Sequence, residues 1–365
     1  MSAKPKVAIA CQGGGSQTAF TAGALKALFD ENIQDRVDIV SLSGTSGGAI
    51  CAALTWYALQ KGENPVTRRL IEFWHDNTAR SPGEKFFNNF VIRSVELTGK
   101  GLLPQFSLSP YSPFVQQWME MATKGFRDEF TDLRALLEKH LDFAQMKAWG
   151  ARPKRPVLLL GACNILSGKL WKFNSRIESI EVEKILASCA IPNLFPAVEI
   201  GENAYWDGIF SDNPPIDELI DPFFVGAENL PDEIWVIKIN PTERATIPKQ
   251  PDDILDRRNE LEGNISLFQD LKKVERLNDL FLRGAFKAEF LEQYAIKEPI
   301  KIPKAFQDDA DKPYHIPLIE MSEEIRNGLN YESKLDRSPE HIDELIRDGE
   351  KQARKFLDTR FREDF

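Results

Sequence analysis

At 365 residues, 42% apolar and 28% charged, the chain has the make-up of a globular protein with enough core to need no disulfide or metal staple. Its formal net charge of −10 excludes a general attraction to nucleic acid or anionic lipid, although a local patch can still bind. Cys11, Cys51, Cys163 and Cys189 stand in apolar stretches without a CxxC pair, and the four histidines are scattered. Buried free thiols in a reducing, cytoplasmic setting are therefore expected, and a metal centre is not.

The opening MSAKPKVAIACQGGG lacks the pattern of a secretory leader. Lys6–Cys11 is a short β-branched apolar run, as in a buried strand, and Gly13, Gly14 and Gly15 end it. Thr18–Asp30 then has helical spacing through Phe20, Ala24, Ala27 and Leu28. A second apolar run, Val37–Leu42, meets another glycine-rich turn, and Ala49–Leu59 continues as an apolar helix ending near Gly62. Ile39 to Gln60 is uncharged and long enough to span a bilayer, but the cluster Ser43–Gly48 reads as a turn, so a soluble protein is expected. Strand, turn and helix thus occur twice in succession, the pattern of parallel βαβ units.

Residues 76–130 break that pattern. Pro, Gly and Asn are frequent, with Phe86, Phe87, Phe90, Phe106, Tyr111, Phe114 and Trp118 interleaved, which suits either a cap over an apolar site or loops packing aromatics on the core. Strands are predicted again at Val157–Cys163, Leu170–Phe173 and Ile234–Ile239, with a helix at Val182–Cys189. Beyond Asn240, Leu261, Ile265, Phe268, Leu271, Val274 and Leu277 mark a long amphipathic helix. Ile342, Leu345, Ile346, Ala353 and Phe356 mark another. A single domain over 1–365 is expected, with a core at 5–240, a cap at 76–130 and a helical extension at 241–365.

Gly44-Thr45-Ser46-Gly47-Gly48 follows a strand and opens a helix, the setting of a nucleophile elbow. There Ser46 would be turned outward, with the positive end of the helix beside it. The amides of Gly13–Gly15 suit an oxyanion hole, and equally a tight turn. A dinucleotide-binding loop would need glycine where Thr18 stands, and no GK[ST] follows for a phosphate loop. A Ser–His–Asp triad would have to recruit His315 or His341, neither in a promising setting. Asp207, in Tyr205-Trp206-Asp207-Gly208, is the alternative base, although Asp-Gly is also a common hairpin turn.

Taken together, GGGSQTAFTAG, GTSGG and DGI in that order resemble the patatin-like phospholipases. The stretch Ala187–Ile200 is similar to the segment before that family's aspartate, and Leu136–Phe143 to another recurrent segment. The resemblance covers about residues 5–240. It implies a three-layer α/β/α fold with a mostly parallel central sheet and peripheral helices. It further implies a Ser46–Asp207 dyad without histidine, and an oxyanion hole from Gly13, Gly14, Gly15 and Gly47. The implied activity is hydrolysis of phospholipid or lysophospholipid acyl esters, with no cofactor and no calcium. The implied partner is a lipid or acyl-ester substrate, met by peripheral membrane contact, and no nucleic acid. The chain departs from the family pattern at Gln17 and Thr18, usually a cation and then glycine, and at Ile209, usually a small residue. For the base to work near neutrality, Asp207 must be desolvated, and Tyr205 and Trp206 are the expected cause. A non-catalytic nucleotide- or lipid-binding protein on the same βαβ start is the competing expectation.

Overall fold

The structure is a computed structural model that describes residues 4–104, 109–152, 154–192, 194–304, 312 and 314–362. Phe106, Asn193 and Pro313, which fall in stretches noted above, lie outside the described residues.

Among the described residues ten strands form: β1 (Lys6–Cys11), β2 (Asp38–Gly44), β3 (Val157–Asn164), β4 (Leu170–Asn174), β5 (Val198–Ile200), β6 (Asn203–Asp207), β7 (Glu233–Lys238), β8 (Ile302–Pro303), β9 (His315–Ile316) and β10 (Ile319–Glu320). The main sheet runs β10-β7-β1-β2-β3-β6-β5, with β4 also on β3. From β10 to β3 all pairings are parallel, while β4, β5 and β6 pair antiparallel. The helices are α1 (Ala19–Asp30), α2 (Gly47–Lys61), α3 (Arg68–Asp76), α4 (Pro82–Gly99), α5 (Pro113–Ala122), α6 (Asp128–Thr131), α7 (Leu133–His140), α8 (Phe143–Trp149), α9 (Val182–Ser188), α10 (Pro222–Val225), α11 (Pro251–Leu282), α12 (Ala288–Gln293), α13 (Glu323–Gly328) and α14 (Pro339–Arg360).

The period of two along each strand sorts the core into two halves. Val7, Ile9, Cys11, Leu158, Leu160, Trp235 and Ile237 face a layer that includes α1, α2, α9 and α14. Ala8, Ala10, Val157, Leu159, Ile234 and Val236 face Leu267, Leu271 and Val274 of α11, together with Ile216, Leu219 and Val225. The sheet is therefore covered on both sides, as the three-layer expectation requires. The second cover is supplied by the polar C-terminal part of the sequence.

The expected strands and helices appear with small shifts of their ends. The loop alternative for residues 76–130 does not hold, because α4, α5 and α6 occupy much of that stretch. Ser81 and Glu84 form a capping box with Pro82 in the first turn of α4, a strong start signal. The poor helix former Asn88 is held by side-chain bonds with Asp336 and with the backbone of Arg337, contacts that local propensity cannot report. The uncharged stretch Ile39–Gln60 divides between β2 and α2, and among the described residues no helix is long and apolar enough to cross a membrane.

Candidate active site

Parallel pairing puts Gly44, the last residue of β2, beside Leu160 of β3. Antiparallel pairing puts Asp207, the last residue of β6, beside Ala162 two residues further along β3. A chain leaving β2 thus reaches the level of Asp207 at residue 46, with β3 between them. The neighbouring residues close the gap: a side chain on Gly208 would lie 3.0 Å from Thr45 Cγ2.

Ser46 turns at φ 56°, ψ −132°, a strained conformation for a residue with a Cβ, and caps α2. It is only 7% exposed. Its amide donates to the carbonyl of Ser188 at 3.1 Å and to Ser188 Oγ at 3.2 Å. The Ser188 hydroxyl donates in turn to Gly161 O at 2.6 Å. Two residues on, Ala190 O accepts the amide of Asp207 at 3.0 Å. One segment, Ser188–Ala190, therefore holds the backbones of both candidate residues.

Asp207 is fully buried, and burial pushes its carboxyl up to about 7. The Ile209 amide, donating to Oδ1 at 2.9 Å, and the nearby Ser46 hydroxyl both pull in the opposite direction. The hydroxyl thus lies within electrostatic reach, yet no hydrogen bond of full geometry joins the two side chains, and Oδ2 has no partner. Alternation along β6 places Trp206 on the face opposite Asp207, against Phe210, so its ring does not supply the expected desolvation. Tyr205 shares the face of Asp207 and is buried, and the buried thiol of Cys189 lies close enough for the carboxylate to raise its pKa.

The glycine loop adjoins the serine. A Cβ on Gly13 would lie 2.5 Å from Thr45 O and 2.8 Å from Ser46 Cβ, so only glycine fits. Its amide, however, donates to Asn213 Oδ1 at 2.7 Å. Gly13 is therefore a wall of the site and not a free donor. Among the described residues, the amides of Gly14, Gly15 and Gly47 meet no acceptor. Gly15, at φ +59°, packs directly on the backbone of Lys334.

Sequence reasoning missed the group that holds this loop. Gln12 is fully buried, and its Oε1 accepts the amides of Ile239 and Asn240, both at 2.8 Å. Its Nε2 donates to Gly263 O and Asn264 Oδ1 of α11, each at 3.0 Å, and more weakly to Asn213 O. Asn213 Nδ2 also reaches Gly263 O at 3.2 Å. The only signal in the sequence was a polar residue directly after an apolar strand. Gln17, where a cation was usual, is buried and donates to Ser333 Oγ at 2.8 Å, and Thr18 donates to Gly15 O at 2.5 Å. Both departures are absorbed into local packing.

The candidate histidines lie apart from this arrangement. His315 engages Glu275 on α11, and His341 lines a cleft of about 1250 Å³ beside α11 and α13. No histidine is among the groups that shift Asp207 or bond to Ser46. All four cysteines are free thiols.

The fold is that of an α/β/α protein with a mostly parallel central sheet, and it carries a serine on a strained strand-to-helix turn. Residues 9–220 match the family described as patatin-like phospholipase, and the chain belongs to that family. Its class is accordingly that of the lipid hydrolases. No curated protein matches the chain. Among solved structures it is similar to VipD from Legionella pneumophila, at 14% identity and a TM-score of 0.40, covering 98% of this chain and 67% of that one. It is also similar to full-length ExoU with SpcU from the type III secretion system of Pseudomonas aeruginosa, at 16% identity and a TM-score of 0.26, covering 74% and 53%. A second structure of the heterodimeric ExoU–SpcU complex matches at 16% identity and a TM-score of 0.25, covering 82% and 58%. The chain thus spans between about half and two thirds of the length of these chains.

Proposed function

We propose that the chain, acting as one unit, hydrolyses carboxylic acyl esters of phospholipids or lysophospholipids, with Ser46 as nucleophile and Asp207 as base. The observation that carries this reading is a buried carboxylate with one unpartnered oxygen beside a serine on a strained elbow. Ser46 Oγ attacks the ester carbonyl carbon while its proton passes to Asp207. The tetrahedral intermediate then expels the alcohol, which takes that proton, and leaves an acyl-enzyme. Water attacks the acyl-enzyme, giving a proton to Asp207 that returns to Ser46 as the free acid departs. A base held at about 7 is well matched to neutral pH. The negative charge on the intermediate falls to the amides of Gly14, Gly15 and Gly47 and to the N-terminal end of α2.

No metal or calcium ion takes part in this scheme. The substrate lies in a lipid aggregate, which the chain meets peripherally from a reducing, cytoplasmic compartment. A fluorophosphonate probe should form one covalent adduct, mapping to Ser46, and Asp207→Asn should remove turnover on phospholipid and lysophospholipid. An adduct elsewhere, or substantial ester hydrolysis by the Asn variant, refutes the assignment.

A further inference from the structure

Helix α4 is built inside out. Its buried residues are the polar Glu84 and Asn88, while Phe86 is 75% exposed and Phe90 is 48% exposed. Polar bonds fasten its inner face: Glu84 pairs with Arg127 at 2.9 Å, and Asn88 bonds to Asp336 and Arg337. The aromatic face is thereby fixed towards water. Helix α5 buries no residue at all. At 100° per residue, Phe114, Val115, Trp118, Met119, Met121 and Ala122 share one arc of α5, and Gln116, Gln117 and Glu120 the other. Phe114 is 75% exposed, and Trp118 contacts Phe90 with ring centroids 6.4 Å apart, so the two apolar faces are continuous. Monomeric proteins rarely hold so large an aromatic face in water without a use for it.

Charge narrows the occupant. In a chain of net charge −10, the stretch Leu97–Met119 contains a single charged residue, Lys100. Near the aromatic residues in the chain stand Lys85, Arg93, Lys100 and Lys124 against Glu96 and Glu120; Arg93 and Lys100 pair with Glu96, and Asp252 of α11 lies near Lys100. An apolar face free of acidic residues over 97–119, with Lys85 and Lys124 at its ends, is complementary to acyl chains beneath phosphate headgroups. The face is also connected to the candidate site. Tyr111, just before α5, accepts the amide of Ala197 at 2.7 Å, and the segment containing Ala197 begins at Ala190, whose carbonyl holds Asp207.

From these observations we propose that the outward face of α4 and α5 docks on a phospholipid bilayer and sets the glycine loop and Ser46 beside the lipid. The proposal deepens the hydrolase reading and rests on it for the identity of the partner. The test uses the full chain carrying Ser46→Ala, so that hydrolysis does not alter the vesicles. Co-sedimentation with phosphatidylcholine vesicles, with and without phosphatidylserine, is compared with that of Phe86→Ser/Phe90→Ser and Phe114→Ser/Trp118→Ser on the same background. Each pair of changes should weaken vesicle binding by about tenfold or more, since two aromatic side chains lose their burial in lipid. Phe86 and Phe114 are largely exposed, and Phe90 and Trp118 are about half exposed and contact each other, so the fold should be retained, which circular dichroism checks. With Ser46 restored, both variants should react with a soluble fluorophosphonate at the wild-type rate while hydrolysing vesicle lipid more slowly. Unchanged vesicle binding in both variants overturns the proposal. So does a solution dimer that the same changes dissociate, which would assign the face to a second copy of the chain. Aromatic-dependent vesicle binding in a chain whose Ser46 never labels would leave the docking face standing and refute the serine-hydrolase reading alone.

Discussion

The amide of Gly13 donates to the side-chain carbonyl of Asn213, 2.7 Å away. One member of the glycine cradle is thus spent on holding the loop in place, and Asn213 is the clamp. The clamp is itself held, because its amide nitrogen reaches Gly263 O on α11 and its backbone carbonyl receives Gln12 Nε2. The position of the loop beside Ser46 therefore depends on residues far away in sequence.

Replacing Asn213 with Ala should leave the Gly13 amide without its acceptor and let the loop drift. The expected result is a fall in kcat of roughly 10–10²-fold with little change in KM, because the proposed donors would act on the intermediate and not on the bound ester. The rate of fluorophosphonate labelling at Ser46 should fall in parallel. A variant that is merely less stable, with normal kcat below its melting temperature, would show that Asn213 has no role in the chemistry.

The carboxyl of Asp207 is raised to about 7 by burial, and this has two consequences of opposite kind. In its proposed role as base it must be ionised, so kcat/KM should rise with pH through about 7 and then level off. For stability, the folded chain keeps a proton that the unfolded chain releases near ~3.9, so the benefit is full below that value and is lost as pH rises through about 7. Asp207→Asn should therefore be stabilising at alkaline pH by roughly 2–4 kcal/mol and near neutral in effect at acidic pH. Denaturant titrations of both proteins on either side of neutrality check this. Equal stability of the two at alkaline pH would show that the carboxylate is better solvated than its burial implies.

Residues 9–220 carry the family match, but the second cover of the sheet comes from α11. A chain ending at Asn240 would expose Ala8, Ala10, Ile234 and Val236 and leave Gln12 with two acceptors fewer. Each buried group left without a partner costs about 1–3 kcal/mol, in addition to the lost apolar burial, against a total stability of only about 5–15 kcal/mol. The shortened chain should be insoluble or should lack a cooperative unfolding transition. A soluble, cooperatively folded fragment of that length would show that α11 is dispensable for the fold.

The strands and the two glycine turns were legible because apolar runs bounded by glycine admit few readings. Lys6–Cys11 and Val37–Leu42 were recognised as strands, and Thr18–Asp30 as a helix, within a residue or two of their observed ends. Strands β5 and β6 were not, being short, partly exposed and only weakly apolar. The region around Phe86–Trp118 was ambiguous because its helices do not bury their apolar faces. Periodicity predicts a core-facing stripe, whereas α4 turns Glu84 and Asn88 inward.

From its residues alone the chain determined a parallel α/β core, a serine at a glycine-bound turn and an aspartate candidate far downstream, since local sterics and the period of two are written in consecutive residues. Which groups would meet was decided only by tertiary packing. Strand register brings Asp207 to the level of Ser46, and Ser188 and Ala190 hold the two backbones. The commitment of the Gly13 amide to Asn213 likewise depends on α11 closing over the sheet. These are contacts between segments distant in the chain, and hydrogen bonds and desolvation depend on distance in space, which the order of residues does not state.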